Sequence, residues 1–238
     1  MNVLGAIQRF ATAVGFPSPS VALTSTSNDV LQVVELLNQV GRELAGRHDW
    51  QALTFEATFT TVATESQGSL STIIGATQVL KKITDDTIWD RTQQQPVWGP
   101  LSPQLWQGNK ALVLSGPYPQ YRIRGNAILF YPVPAAGHSC YFEYVSKCWA
   151  TDVGGSTFKT NVTADTDVFL VDEELIMAGL EWRWLRKKGL SYAEEFNSYE
   201  MLVADAIGNE RTHPTLHMDG DYQERRPGTF VPVGSWPL

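Results

Sequence analysis

Positive charge is scarce in this sequence. The chain has 18 lysines and arginines against 25 aspartates and glutamates, so its formal net charge is −7. Sequence-independent DNA binding depends on lysine and arginine side chains that neutralise phosphates, so this charge balance argues against strong binding to nucleic acid. A plainer interpretation stays open, because many acidic proteins carry such a charge simply to remain soluble.

Cysteine and long apolar runs are scarce as well. Cys140 and Cys148 are the only cysteines, and neither has a second thiol at the spacing of a zinc site. Two free, half-buried thiols in a reducing compartment are therefore expected. No run of about 20 apolar residues occurs, so we expect no membrane span. Gln8 and Arg9 interrupt the apolar N-terminal stretch, which argues against a secretion signal.

Motifs that would indicate catalysis are also missing. The sequence contains no G-x-G-x-x-G, phosphate-loop, G-x-S-x-G or kinase motif. His213 and His217 have the spacing of a helical zinc pair, but Pro214 lies between them. Acidic residues bunched at 165–174 lack the glycine and closing glutamate of a calcium loop, and helix N-terminal electrostatics explains them better. We therefore predict no enzyme activity, metal or cofactor.

Apolar residues recur at helical spacing near both ends of the chain. This spacing predicts four helices, at residues 2–15, 28–47, 173–188 and 191–208. Ser27 or Asn28 is expected to cap the second helix, and Ser191 with Glu194 fits a capping box for the fourth. Each pair of helices has an apolar face that needs cover, and the other pair is the simplest cover.

The middle of the chain has the pattern of a β structure. Apolar and polar residues alternate from Leu53 to Thr60, which is typical of a half-buried strand. Gly125 and Asn126 separate two strand-like runs and predict a tight hairpin. We therefore predict an α+β fold, in which a helical bundle is formed by the two terminal segments around an inserted β-rich domain of sandwich or barrel type. The predicted bundle comprises residues 1–50 and 166–212, and the predicted inserted domain comprises residues 51–165.

The last residues, 213–238, differ in composition from both the helical segments and the β-rich block. Their prolines and glycines exclude a regular helix, yet they carry several large apolar side chains. We predict an extended C-terminal arm that lies on a partner, with a frayed tail as the alternative. The arm residues predicted to contact the partner are Leu216, Tyr222, Arg225, Arg226, Phe230, Val231, Val233 and Trp236.

Arginines outside the arm are candidates for subunit or partner contacts. The candidates are Arg122, Arg124, Arg183 and Arg186. The first two alternate with Tyr121 and Ile123, so they share one face of a strand. The last two belong to a basic cluster that could meet DNA phosphates, although a cation at a helix C-terminus explains Arg186 without any partner.

Aromatic residues are dense in the β-rich block. They could form a platform that stacks on sugars, but such rings more often build a core and contacts with a neighbouring subunit, and we favour that interpretation. The residues concerned are Trp89, Trp98, Trp106, Tyr118, Tyr121, Tyr131, Tyr141, Tyr144 and Trp149.

Taken with these patterns, the chain resembles the head-to-tail adaptor proteins of tailed bacteriophages. The resemblance rests on the long helix 28–47 running through residues 48–50 into a strand. It rests also on the closing helices 173–188 and 191–208, on the junction 189–194 between them, and on the trailing arm.

The resemblance implies a structural virion protein in the neck between capsid and tail, assembled in the host cytoplasm. It implies a ring, dodecameric in the family, whose helical parts pack side by side. The arm would dock on the portal protein, and the β-rich part would extend toward a downstream tail or nozzle protein. Double-stranded DNA would pass through the lumen without specific binding. The alternatives are an aromatic β-rich module that binds a glycan or a tail-fibre partner and, with the least support, a cell-wall hydrolase.

Overall fold

The computed structural model of the chain describes residues 1–112 and 118–210, which form six α-helices and eleven β-strands. The chain is an α+β protein, as predicted. The helices are α1 Val3–Val14, α2 Asn28–Arg47, α3 Leu70–Ile73, α4 Pro103–Ala111, α5 Glu173–Lys188 and α6 Ala193–Glu210. The strands are β1 Thr54–Thr60, β2 Ser66–Ser69, β3 Leu80–Ile83, β4 Trp89–Asp90, β5 Gln95–Pro96, β6 Gln120–Arg124, β7 Ala127–Tyr131, β8 Ser139–Ser146, β9 Ala150–Thr151, β10 Phe158–Lys159 and β11 Val168–Phe169.

The helix ends follow local sequence chemistry, with two corrections to the predicted caps. Asp172 accepts a hydrogen bond from the backbone N–H of Glu174 at the start of α5, and Gly189 ends that helix in the left-handed conformation. Ser27 precedes α2 but makes no side-chain cap bond. The α6 helix begins at Ala193, two residues after Ser191, so the predicted capping box is displaced from the helix start.

The principal sheet has β8 at its centre. One edge of β8 pairs antiparallel with β1 along its whole length, and the other edge pairs with β3 near one end and with β4 near the other. Cys140, Phe142 and Tyr144 alternate along β8 and are all buried. The two cysteines are free but fully buried, rather than half-buried as predicted. Cys140 lies on β8 at the middle of its sheet, and Cys148 lies two residues beyond the end of that strand.

A second, three-stranded sheet is built around the predicted hairpin. Its strand order is β2-β7-β6, and Arg124 pairs with Ala127 across the turn. Gly125 and Asn126 have φ angles of 57° and 63°, the left-handed values that a two-residue turn of the primed type requires. The hairpin prediction is therefore confirmed at residue level.

A third, small sheet lies beside the N-terminal residues. Its order is β10-β9-β11, and Asn2 forms an isolated bridge with Val168 beside it. The predicted domain boundary at residue 165 falls inside this sheet, because β9 and β10 precede it and β11 follows it.

Buried apolar side chains form two clusters. The larger cluster contains residues of α1, α2, α5 and α6 together with Val145, Trp149, Ala150 and Val162. The smaller cluster lies between the principal sheet and the hairpin sheet and is centred on Tyr121, Phe130 and Phe142. Each large side chain buried in this way contributes roughly 1.5–3 kcal/mol to folding. The terminal helices therefore cover one another, and the β-rich block has a core of its own.

Candidate interaction surfaces

Ion pairs link the N-terminal and C-terminal helices to each other. Glu43 on α2 pairs with Arg183 on α5, and Arg47 on α2 pairs with Glu200 on α6. Arg47 also lies 3.4 Å from Glu43, its neighbour one helical turn away. The Arg183 side chain is only 15% exposed, so its charge needs this partner. These pairs fix how segments about 140 residues apart in sequence meet.

Tyr199 of α6 lies at the centre of this ionic cluster. Its ring is fully buried, and its hydroxyl lies 3.5 Å from a carboxylate oxygen of Glu43. Burial, reinforced by the Glu43 charge, raises the pKa of Tyr199 to about 12. The phenol is therefore neutral at physiological pH, and its position indicates a packing role.

Trp149 connects the β-rich block to the helices. Its ring lies directly over Gly41 of α2, where a Cβ atom would overlap the indole. The indole N–H donates to the backbone carbonyl of Thr160 at 2.7 Å, so the ring is fixed in orientation. Nothing in the local sequence distinguishes Trp149 from the other aromatics of the block, and its role was missed.

Two aspartates predicted to act through helix electrostatics have other roles. Asp165 accepts hydrogen bonds from the backbone N–H groups of Ala22 and Leu23, and so holds the loop between α1 and α2. Asp167 is 1% exposed at its side chain and pairs with Lys159 at 2.6 Å. Burial alone would raise the pKa of Asp167, but Lys159 and two backbone N–H donors hold it below its ordinary value.

A groove runs along α6, and we call it the α6 groove. One part, a cavity of about 210 Å³, lies between α1, α5 and α6 and is lined by Phe10, Met177 and Leu202. The other part, of about 370 Å³, continues past Leu202 to Ala206 and the end of α6. Leu202 is 44% exposed and the adjacent Met201 is 68% exposed. Such contiguous apolar exposure is typical of an interaction surface.

A separate cavity in the β-rich block contains the only His–Asp pair seen in the described residues. Asp90 accepts from His138 Nδ1 at 2.8 Å and from the backbone N–H groups of residues 92 and 93. Thr61 lies beside them, but its hydroxyl donates to the carbonyl of Ala135 and accepts from the His138 backbone. That hydroxyl is therefore committed to structural bonds and is not poised as a nucleophile.

The thiol nearest this cavity is also unreactive. Burial, with the nearby Asp90 charge as a second cause, raises the pKa of Cys140 to about 12.

Among residues 1–112 and 118–210, no group of three metal-ligating side chains converges. None of the helices in the same ranges is long and apolar enough to cross a membrane.

The structure places the four predicted contact arginines in different settings. Arg183 is used inside the subunit, where it pairs with Glu43 and lies over the ring of Trp182. Arg186 is exposed at the end of α5. Arg122 and Arg124 lie on β6, half-buried and exposed respectively. None of these last three makes an ion pair with any residue that the structure describes.

Of the nine candidate stacking rings, only Tyr118 is exposed. Four of them are buried: Trp106, Tyr121, Tyr144 and Trp149. Tyr141 is covered on one face by the guanidinium of Arg91, which lies 3.5 Å from the ring centroid. Tyr118 is 44% exposed, and its ring lies 6.2 Å from that of Trp98 in a tilted arrangement. The predicted arm, with all eight of its candidate contact residues, lies outside the described residues.

Comparison with protein families decides the class of this chain. A family model described as SU10 adaptor protein matches residues 1–227. The chain belongs to this family. No curated protein matches it. The family match covers both helical segments and the whole β-rich block, so the resemblance to phage adaptors seen in the sequence is confirmed at the level of a phage adaptor-type protein.

Membership of the SU10 adaptor protein family supports a structural phage protein that contacts other virion proteins. It also supports a location in the virion. The family is one of structural adaptors rather than enzymes. The buried, structurally committed Thr61, Asp90 and Cys140 agree with that class.

Proposed function

We propose that this SU10 adaptor family member forms a ring beneath the portal, joins the portal to the tail and continues the channel through which DNA passes. The α6 groove is the observation that carries this proposal. Leu202 lines both parts of this groove and is 44% exposed, on a helix whose buried face carries Tyr199 and Val203. A ring of identical subunits needs such a surface, because each copy must offer one patch to the next.

The proposed roles follow the order of the elements along the chain. Residues 1–50 and 166–212 would form the ring-building helical bundle, residues 51–165 the β-rich domain that faces the tail, and residues 213–238 the arm that docks on the portal. The arm is too apolar to be a simple solvated linker, since it carries Phe230, Val231 and Trp236 within seven residues. The acidic net charge suits a lumen that must release DNA.

Ring formation is tested by placing a charge in the α6 groove. We expect Leu202→Asp to abolish the ring, because the carboxylate would be buried against apolar side chains of the next copy. Ala204→Asp is the matched control: Ala204 is also exposed on α6 but does not line the groove. Analytical ultracentrifugation and negative-stain imaging with portal measure the outcome. Rings of unchanged size from the Leu202→Asp variant would refute the assignment of this groove.

Portal docking is tested by deletion of residues 214–238. The truncated chain should keep the far-ultraviolet circular dichroism and thermal midpoint of the full chain, because both apolar clusters precede the deletion. It should no longer join portal rings in imaging or co-sedimentation. If the truncated chain binds portal as well as the full chain does, the arm is not the docking element.

A further inference from the structure

The outer edge of β6 is only partly covered. Tyr121 donates its backbone N–H to the carbonyl of Trp98 and accepts from the N–H of Leu101, so residues 98–101 cover the first half of the strand. Alternate residues of an antiparallel strand direct their backbone groups to the same side. Ile123, two residues on, therefore directs its N–H and C=O outward, and neither group bonds to any described residue.

Two unpaired arginines flank this open position. Arg122 and Arg124 extend from the face of β6 opposite to Tyr121, and neither has a carboxylate partner in the described chain. Ile123 is itself 37% exposed. An unpaired edge with free backbone groups is a template for another strand. The two cations favour a partner strand that carries carboxylates at positions i and i+2, because the side chains at these positions lie on the same face of that strand.

The chain supplies such a sequence immediately after the described part. Asp219 and Asp221 are separated by Gly220, and no other pair of acids in 211–238 has this spacing. With Gly220 opposite Ile123, the two carboxylates would face Arg124 and Arg122 as cross-strand pairs. A glycine at the central position permits close approach of the two backbones.

The starting point of this segment is fixed. Glu210, the last described residue of α6, contacts Gln51 and lies 3.4 Å from His48. Residues 211–218 then span at most about 29 Å when extended. We propose that residues 218–222 of one copy add as a short strand to the open β6 edge of a neighbouring copy. The placement on a neighbouring copy rests on the ring proposed above. Of the arm proposed above to dock on the portal, residues 223–238 then remain available for that contact, and residues 218–222 serve the neighbouring copy instead.

A peptide titration tests the site without portal or ring. A fluorescein-labelled peptide of residues 215–224 is titrated with full-length chain, and anisotropy gives the affinity. The receptor is the Asp219→Arg/Asp221→Arg chain, whose own segment cannot compete. Adding Arg122→Glu/Arg124→Glu to that receptor should weaken binding about tenfold or more, because two attractive pairs become repulsive. Adding Lys147→Glu/Lys187→Glu, a matched reversal of two exposed cations that make no ion pair with any described residue, should leave binding unchanged.

A charge-reversed peptide provides the complementary measurement. The peptide with Asp219→Arg and Asp221→Arg should bind the Arg122→Glu/Arg124→Glu chain and should fail to bind a chain with native β6. The second result does not depend on the folding of any β6 variant. The proposal is overturned if the native peptide shows no saturable binding, or if its affinity is the same for receptors with native and with reversed charges on β6.

Mixing two full-length variants tests the placement on a neighbouring copy. Chains with Arg122→Glu/Arg124→Glu and chains with Asp219→Arg/Asp221→Arg each repel their own kind, but every contact between the two kinds is attractive. Multi-angle light scattering should show a larger average mass for the mixture than for either variant alone. If the average mass of the mixture equals the mean of the masses of the two separate variants, the placement of the segment on a neighbouring copy is overturned. The ring proposal is tested separately by co-sedimentation of the native chain with portal.

Discussion

The helices and the β-rich block use their charged side chains differently. Among the helices, cations and carboxylates are largely satisfied across long sequence separations, as in the pairs Arg183–Glu43, Arg47–Glu200 and Lys188–Asp29. In the β-rich block, Lys159 forms a buried pair with Asp167, but the pair Arg91–Glu56 on the sheet surface is more than half exposed, and the arginines of β6 have no ionic partner in the described chain.

The difference teaches which charges serve folding and which remain for other molecules. Half-buried pairs between helices select one arrangement of segments that are far apart in sequence, because a mismatched arrangement would leave an ion without a partner. Exposed pairs on a sheet contribute little. The arginines of β6, which pair with no described carboxylate, therefore fit the recognition role proposed above.

The largest expected effect lies where the two regions meet. Gly41→Ala should destabilise the protein by about 3 kcal/mol, because the new methyl group would overlap the Trp149 ring and force one region away from the other. Urea unfolding measures the change. Gly46→Ala in the same helix is the control: its Cβ meets open space, so it should stabilise by up to about 1 kcal/mol. Equal effects of the two changes would contradict the packing of Trp149 on α2.

The contrast between ion pairs gives the next prediction. Arg183→Met should cost about 2 kcal/mol, because it leaves Glu43 partly buried beside fewer positive charges. Arg91→Met should cost under about 1 kcal/mol, since that pair is exposed and only its contact with Tyr141 is lost. Thermal unfolding of both variants provides the comparison, and a costlier Arg91 change would reverse the proposed roles of the two regions.

Acid should weaken the small sheet before the hairpin sheet. The pKa of Asp167 lies below its ordinary value of 3.8, so its stabilising effect is complete above that pH and is lost as the pH falls through the lowered pKa. Asp167→Asn should lower the free energy of unfolding by about 1–2 kcal/mol at neutral pH. The difference in unfolding free energy between this variant and the native chain should become smaller below pH 3.8. Denaturant midpoints across this range measure the difference, and a gap that is constant with pH would be inconsistent with the pair.

The smallest effects should come from two serines that precede helices. Ser102 accepts from the N–H of Leu105 at 3.3 Å, so Ser102→Ala should cost about 1 kcal/mol even though it lies in the β-rich block. Ser27 makes no cap bond to α2, so Ser27→Ala should cost under about 0.5 kcal/mol. Thermal midpoints distinguish the two, and a larger shift for Ser27 would show that the cap forms in solution.

Local chemistry made several elements predictable from sequence. The turn at Gly125 and Asn126 needs left-handed backbone that few other residue pairs accept, so the hairpin could be placed to the residue. The acidic residues at the start of α5 and the glycine at its end also mark the ends of this helix in the sequence. The capping box at Ser191 failed because the junction between α5 and α6 takes two further residues to turn.

Properties that depend on distant contacts could not be predicted. Asp165 and Asp167 precede a helix in sequence, yet the loop before α2 and Lys159 determine their roles. The pairing of β3 and β4 with one edge of β8 depends on a strand more than 50 residues later. The Arg183–Glu43 pair had no local signal, because its partners come from opposite ends of the chain.

The end of α6 has one mechanical consequence. Glu210 is fastened to Gln51 through both backbone and side-chain bonds, at the point where the long helix α2 gives way to β1. Tension on the segment that follows would act both on this contact with the α2–β1 connection and along α6 itself. A load applied to the tail of the polypeptide therefore reaches both halves of the subunit at once.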